Sequence, residues 1–170
     1  MNQWSEGEVF SFLSQHFREA ANDCRDLAKR QRRGSIYNRL RHTLIKIEDM
    51  CRIAAYFRQD ARWLQVGLRM HAVHQCAGDW LRGVPRPPDE RGRPRAPMPI
   101  PDGELHPLFV RLAEFLDEQY KIADTLRRQR TGRPGMILPR MLQPTEVRHP
   151  TNYPVRDYRR TRSGLLVPSA

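Results

Sequence analysis

Residues 60–83 read DARWLQVGLRMHAVHQCAGDWLRG, and this stretch decides the fold class. Trp63, Val66, Met70, His74, Ala77 and Leu81 recur at three- and four-residue steps, so on a helix they form one apolar stripe. Asp60 is placed to cap the first turn, and Gly83 followed by Pro85 ends the helix. Gly67 lies on the apolar side. An interior glycine costs about 1 kcal/mol relative to alanine, so its presence there predicts close approach of another helix. A stripe of this kind cannot be buried alone, and the flanking sequence must supply its partners.

It does so on both sides. Upstream, Ser35 reads as the cap of a helix with Ile36, Leu40, Leu44, Ile47, Cys51 and Ala54 on one face, a pattern that fades near Arg58. Before that, Ser5 and Glu8 have capping-box spacing, and Val9, Leu13, Phe17, Ala20, Cys24 and Leu27 predict a first helix running to about Arg33, where Gly34 breaks it. Downstream, Val84 to Pro101 reads VPRPPDERGRPRAPMPIP, seven prolines in eighteen residues. Such a segment is neither helix nor central strand, and it predicts an extended, partly polyproline connector over 84–104. Pro107 then reads as the first residue of a fourth helix, with Leu108, Leu112, Leu116, Gln119, Ala123 and Leu126 inward. Short joints between amphipathic helices predict an all-α fold, an antiparallel bundle of about four helices over residues 1–130. Residues 131–170 form a basic arm. Its prolines forbid a continuous helix, yet Met136, Ile137, Met141, Leu142, Tyr153 and Val167 give it apolar anchors, so the arm is expected to order by lying along another surface.

The length of 170 residues fits one domain, and a hydrophobic fraction of 39% leaves only a modest core. The net charge of +11 comes almost wholly from arginine, since Lys29, Lys46 and Lys121 are the only lysines. Arginine favours bidentate contact with phosphate or carboxylate, although a GC-rich genome gives the same bias. No apolar run approaches the roughly 18 residues of a membrane span. Glu6 and Glu8 sit where a targeting presequence would be positive, so no cleaved targeting segment is read and synthesis in the cytoplasm is expected. Cys24, Cys51 and Cys76 read as free buried thiols in a reducing compartment.

No catalytic constellation emerges. On a helix His71 lies about 60° and Cys76 about 160° from His74, so the three cannot share one metal ion. No nucleophile elbow, phosphate loop or dinucleotide fingerprint is present. Glu48 with Asp49, and Asp117 with Glu118, are adjacent carboxylates that diverge around a helix and read as solvated faces. The expectation is a non-enzymatic protein without catalytic residues, cofactor or metal. What remains is charge. Arg25, Arg30, Arg32, Arg33, Arg39 and Arg41 gather at the joint of the first two helices. Tyr153, Arg156, Tyr158, Arg159, Arg160 and Arg162, with Leu165 and Leu166, mark the second cluster in the arm. Guanidiniums interleaved with tyrosine serve DNA or RNA by phosphate neutralisation and stacking, and equally serve a protein interface.

Through the segments DARWLQVGL (60–68) and AGDWLRG (77–83), the chain over about residues 35–83 resembles small proteins encoded by tailed bacteriophages and prophages of GC-rich bacteria. A helical bundle with an extended C-terminal arm is similar in architecture to the head-to-tail adaptors of those phages. The resemblance implies a virion component, a homo-oligomer within an assembly, with a portal or neighbouring adaptor as partner. A nucleic-acid-binding protein using the arginine clusters is the alternative, and a virus-encoded inhibitor of a host protein is a third reading.

Overall fold

The computed structural model describes residues 3–29, 34–129, 136–137, 158–162 and 166–168. Four helices dominate: α1 (Glu6–Ala28), α2 (Gly34–Arg58), α3 (Ala61–Arg82) and α4 (Asp102–Arg128). Short strands accompany them, β1 (Gln3–Trp4), β2 (Met136–Ile137), β3 (Tyr158–Arg160) and β4 (Leu166–Pro168), paired antiparallel as β1–β2 and β3–β4.

Local signals set most of the helix ends. The Ser5 hydroxyl accepts from the Glu8 amide at 3.1 Å while the Glu8 carboxylate accepts from the Ser5 amide at 2.7 Å, completing the capping box. Asp60 accepts from the Arg62 amide at 2.9 Å, and Gly83, at φ 91°, donates to the Asp79 carbonyl to close α3. Three expectations are corrected. Helix α1 ends at Ala28, where Lys29 is the C-cap and still donates its amide to the Arg25 carbonyl, and His106 of α4 donates to the Ala28 carbonyl at 2.8 Å. Gly34 already opens α2, which puts Ser35 inside its first turn. Helix α4 begins at Asp102 with Pro101 at its cap, so Pro107 lies within the helix. There the ring removes only one backbone bond near the start, while Asp102 and Glu104 favour the positive end of the helix dipole.

Helix α1 packs on α2 and α4, and α2 packs on α3. Glu6 at the start of α1 meets Arg58 at the end of α2 at 2.8 Å, and the end of α1 meets the start of α4 through His106, so these neighbours run antiparallel. Two aromatic groups join the helices across the core. Trp63 lies 5.4 Å from Phe10 and 6.5 Å from Phe17, and Phe109 lies 5.7 Å from Tyr37 and 5.4 Å from Trp80. Helix α3 is buried over a wider arc than a single stripe. Cys76, expected to point away, is in the core; His71 is buried, His74 is half-buried and Leu81 is exposed. Both α2 and β4 lie on α3: His71 meets Glu48 of α2, and Val167 of β4 joins the core.

The proline-rich segment is non-helical as read, but it doubles back, and Val84 bridges to Met98. Among the described residues no helix is long and apolar enough to cross a membrane.

The close approach read from Gly67 is present: a β-carbon there would sit 3.3 Å from Cys51 Cβ and 3.5 Å from the Glu48 carbonyl oxygen. Gly67→Leu is therefore expected to destabilise the bundle by about 3 kcal/mol through overpacking between α2 and α3. Urea unfolding reads this as a lowered midpoint, and an unchanged midpoint would show that the two helices do not meet at this position.

Candidate partner-binding surface at one end of the bundle

The antiparallel packing brings the end of α1, the start of α4 and the base of the proline-rich segment to one end of the molecule. His106 ties α4 to Ala28, and Phe109 ties α4 to both Tyr37 near the start of α2 and Trp80 near the end of α3. The described arginines of the α1–α2 joint, Arg25, Arg39 and Arg41, therefore lie toward the same end as those of the proline-rich segment.

Two of the joint arginines are held within the bundle. Arg25 donates to Asp117 of α4 at 2.6 Å and to Asn22 at 3.1 Å. The Arg39 Nε donates to both carboxylate oxygens of Asp23, at 3.0 and 3.1 Å, and this hydrogen bonding raises its already high pKa. Asp23 is buried while the Arg39 side chain remains 61% exposed, so the guanidinium covers a carboxylate that would otherwise lie in the core. Arg41 is half-buried, and its Nε has no hydrogen-bond partner among the described residues. Lys29 is exposed. Arg30, Arg32 and Arg33 lie outside the described residues.

In the arm, Tyr153, Arg156 and Leu165 also lie outside them. Tyr158, Arg159 and Arg160 occupy β3, opposite Pro168, Val167 and Leu166 of β4 respectively, and Arg162 is exposed in the turn that follows β3. The two clusters are thus carried by separate elements, the helical joint and a strand pair whose β4 rests on α3.

Two features were not legible as sites. Glu48 and Asp49, expected on a solvated face, are both buried. Glu48 Oε1 lies 3.2 Å from Arg52 Nη2 and 3.2 Å from His71 Nδ1, and Asp49 Oδ1 lies 3.3 Å from Arg52 Nη1. The i+3 and i+4 spacing of Arg52 was the available signal. This network orients the His71 ring against a carboxylate. The thiols of Cys24 and Cys51, by contrast, are pushed far up by burial and stay protonated, which suits packing and not nucleophilic attack. The second feature is an open polar cleft between α1 and α4, of about 440 Å³, with Ser14, Arg18, Glu19, Tyr120, Asp124 and Arg127 among its walls. Arg18 lies 5.9 Å from the Tyr120 ring centre, and the Asp124 carboxyl is held below its usual range mainly by its bond to Arg127. Among the described residues no group of three His, Cys, Asp or Glu side chains is arranged to hold a metal ion.

No family model matches the chain, and none of the curated proteins or solved structures compared with it is a significant match.

The two tethered arginines separate by their partners' burial. Arg39→Ala exposes the core to an unpaired Asp23 and is expected to cost about 1–3 kcal/mol. Arg25→Ala breaks a solvent-exposed pair, expected to be worth about 0–1 kcal/mol. Chemical denaturation of both variants checks the order, and equal losses would contradict it.

Proposed function

We propose that this protein is a non-enzymatic assembly component, whose bundle docks in a larger complex and whose residues 131–170 reach neighbouring subunits. The supporting observation is Val167. It is 5% exposed and belongs to the core, on a strand laid against α3, although it lies far along the chain from the end of α4 at Arg128. Burying one valine contributes about 1.5–3 kcal/mol, a small holding energy for a terminal segment. The same contacts are available on α3 of a second copy, and exchange of an identical element between copies is a low-cost route to assembly.

The resemblance of residues 60–68 and 77–83 to tailed-phage proteins identifies the complex in this reading as a virion. The partners are then a portal or neighbouring adaptor, and the protein passes from the cytoplasm into the particle. Tyr153, Tyr158, Leu165 and Leu166 are the apolar and aromatic contacts of the arm, and Arg156, Arg159, Arg160 and Arg162 its charged ones.

Light scattering after size-exclusion chromatography tests the exchange. The wild-type chain is expected to self-associate as its concentration rises, and Val167→Glu, which places a charge where the core requires an apolar group, is expected to shift it to monomer. A wild-type chain that stays monomeric at every concentration, with residues 131–170 cleaved as fast in the assembled complex as in the isolated protein, would falsify the reading.

A further inference from the structure

Residues 84–98 take a longer path from α3 to α4 than the geometry requires. Val84 and Met98 exchange two backbone hydrogen bonds, at 2.9 and 2.8 Å, so the ends of the excursion already touch. Connections of about 2–8 residues join helices in most bundles. Between these ends the chain is a hairpin: Arg86 Nε donates to the Ala96 carbonyl at 2.8 Å, and the Asp89 amide donates to the Arg93 carbonyl at 3.0 Å. Those pairs share one register, with Arg91 at its centre. The tip is closed by Asp89, whose carbonyl accepts from Gly92 at 2.8 Å and whose Oδ1 accepts from the Arg91 and Arg93 amides at 2.9 and 2.8 Å. Gly92, at φ 72°, supplies the left-handed residue that a three-residue hairpin loop needs. From Pro85 to Pro99 every residue is exposed except the half-buried Asp89, so the excursion adds little to the core.

We propose that this hairpin is a DNA-contacting element, whose exposed guanidiniums, those of Arg91 at the tip and of Arg93 and Arg95 on the limb that follows it, enter the minor groove of duplex DNA with a preference for A·T tracts. Arg91 and Arg95 are exposed and form no ion pair among the described residues. The Arg93 side chain is 65% exposed, and its guanidinium meets Asp89 through Nε at 3.3 Å. Gly92, between two of these arginines, has no side chain, and open space surrounds the position where one would stand. The apex is therefore slim enough to direct guanidiniums into a groove about 6 Å wide. Narrow A·T tracts concentrate negative potential there and attract arginine. The limbs carry Pro85, Pro87, Pro88, Pro94, Pro97 and Pro99, which have no donors for base edges, so reading by the ribbon's flanks in the major groove is disfavoured. Proline also lowers the entropy of the free loop and with it the ordering cost of binding. Glu90, exposed beside Arg91, opposes approach to phosphate and supplies a change of opposite sign for the test. This proposal does not depend on the assembly reading.

Fluorescence anisotropy of the full chain with two labelled duplexes of equal length, one an A·T tract and one all G·C, tests it. The A·T duplex is expected to bind several-fold more tightly, and a minor-groove drug such as netropsin to displace the protein. The double variant Arg91→Ala/Arg95→Ala is expected to lose about tenfold or more in affinity for the A·T duplex. Its dependence on salt should fall by about one in log–log slope for each groove contact removed. Glu90→Gln is expected to tighten binding. All three positions are exposed, and an unchanged thermal melt by circular dichroism confirms that the variants remain folded. Equal affinity for the two duplexes, or variants that leave DNA binding intact, overturns the proposal. Variants that change only the oligomeric state also overturn it, and assign the hairpin to a protein contact.

Discussion

Two aromatic side chains, Trp63 and Phe109, set the arrangement on which every other placement depends. Trp63 joins α3 to Phe10 and Phe17 of α1, and Phe109 joins α4 to Tyr37 of α2 and Trp80 of α3. Both rings are fully buried. Truncating such a ring costs about 3–5 kcal/mol, whereas an exposed ion pair contributes about 0–1 kcal/mol. The rings therefore fix which helix ends meet, and the salt bridges at the surface follow. His106 reaches the Ala28 carbonyl because Phe109, one turn further along α4, is already anchored.

Much of the fold was legible because its signals are local. Ser5 with Glu8, Asp60 and Gly83 each act within a few residues and are found where the pattern placed them. The apolar stripes of α1 and α2 are buried as read, while that of α3 departs at His74 and Leu81 and that of α4 is half-buried at Leu108 and Leu126. Gly67 was legible for a related reason, since a costly residue on a packing face needs a neighbour close by. What was not legible depends on segments distant in the chain. Cys76 and His71 are both buried on α3, which packs on α2 and on β4 from far along the sequence, and His71 meets Glu48 of α2. The connector was correctly read as non-helical from its prolines, but its return path depends on Asp89 gathering the amides of Arg91 and Arg93. The arginine cluster was visible as charge, while the diversion of Arg25 and Arg39 into ion pairs requires Asp117 and Asp23 on other elements or earlier turns.

The charge of +11 is divided between two kinds of work. Arg39, Arg52 and Arg58 stand over the carboxylates of Asp23, Glu48 with Asp49, and Glu6, all buried. These guanidiniums make it possible for acidic side chains to occupy the interior, because a buried carboxylate without a partner is strongly destabilising. Arg91 and Arg95 do nothing of this kind, since they stand exposed on the hairpin. A count of cations cannot distinguish the two groups; the burial of the nearest carboxylate does.

A ribbon that projects into solvent has two open edges, and open edges recruit strands from other chains into ladders and aggregates. In this hairpin the prolines at 85, 87, 88, 94, 97 and 99 leave gaps in the row of amide donors along both limbs. An incoming strand therefore finds too few donors to extend a ladder. This exposed β-like segment is protected from edge-to-edge association by its covalent structure, at any salt concentration and at any pH.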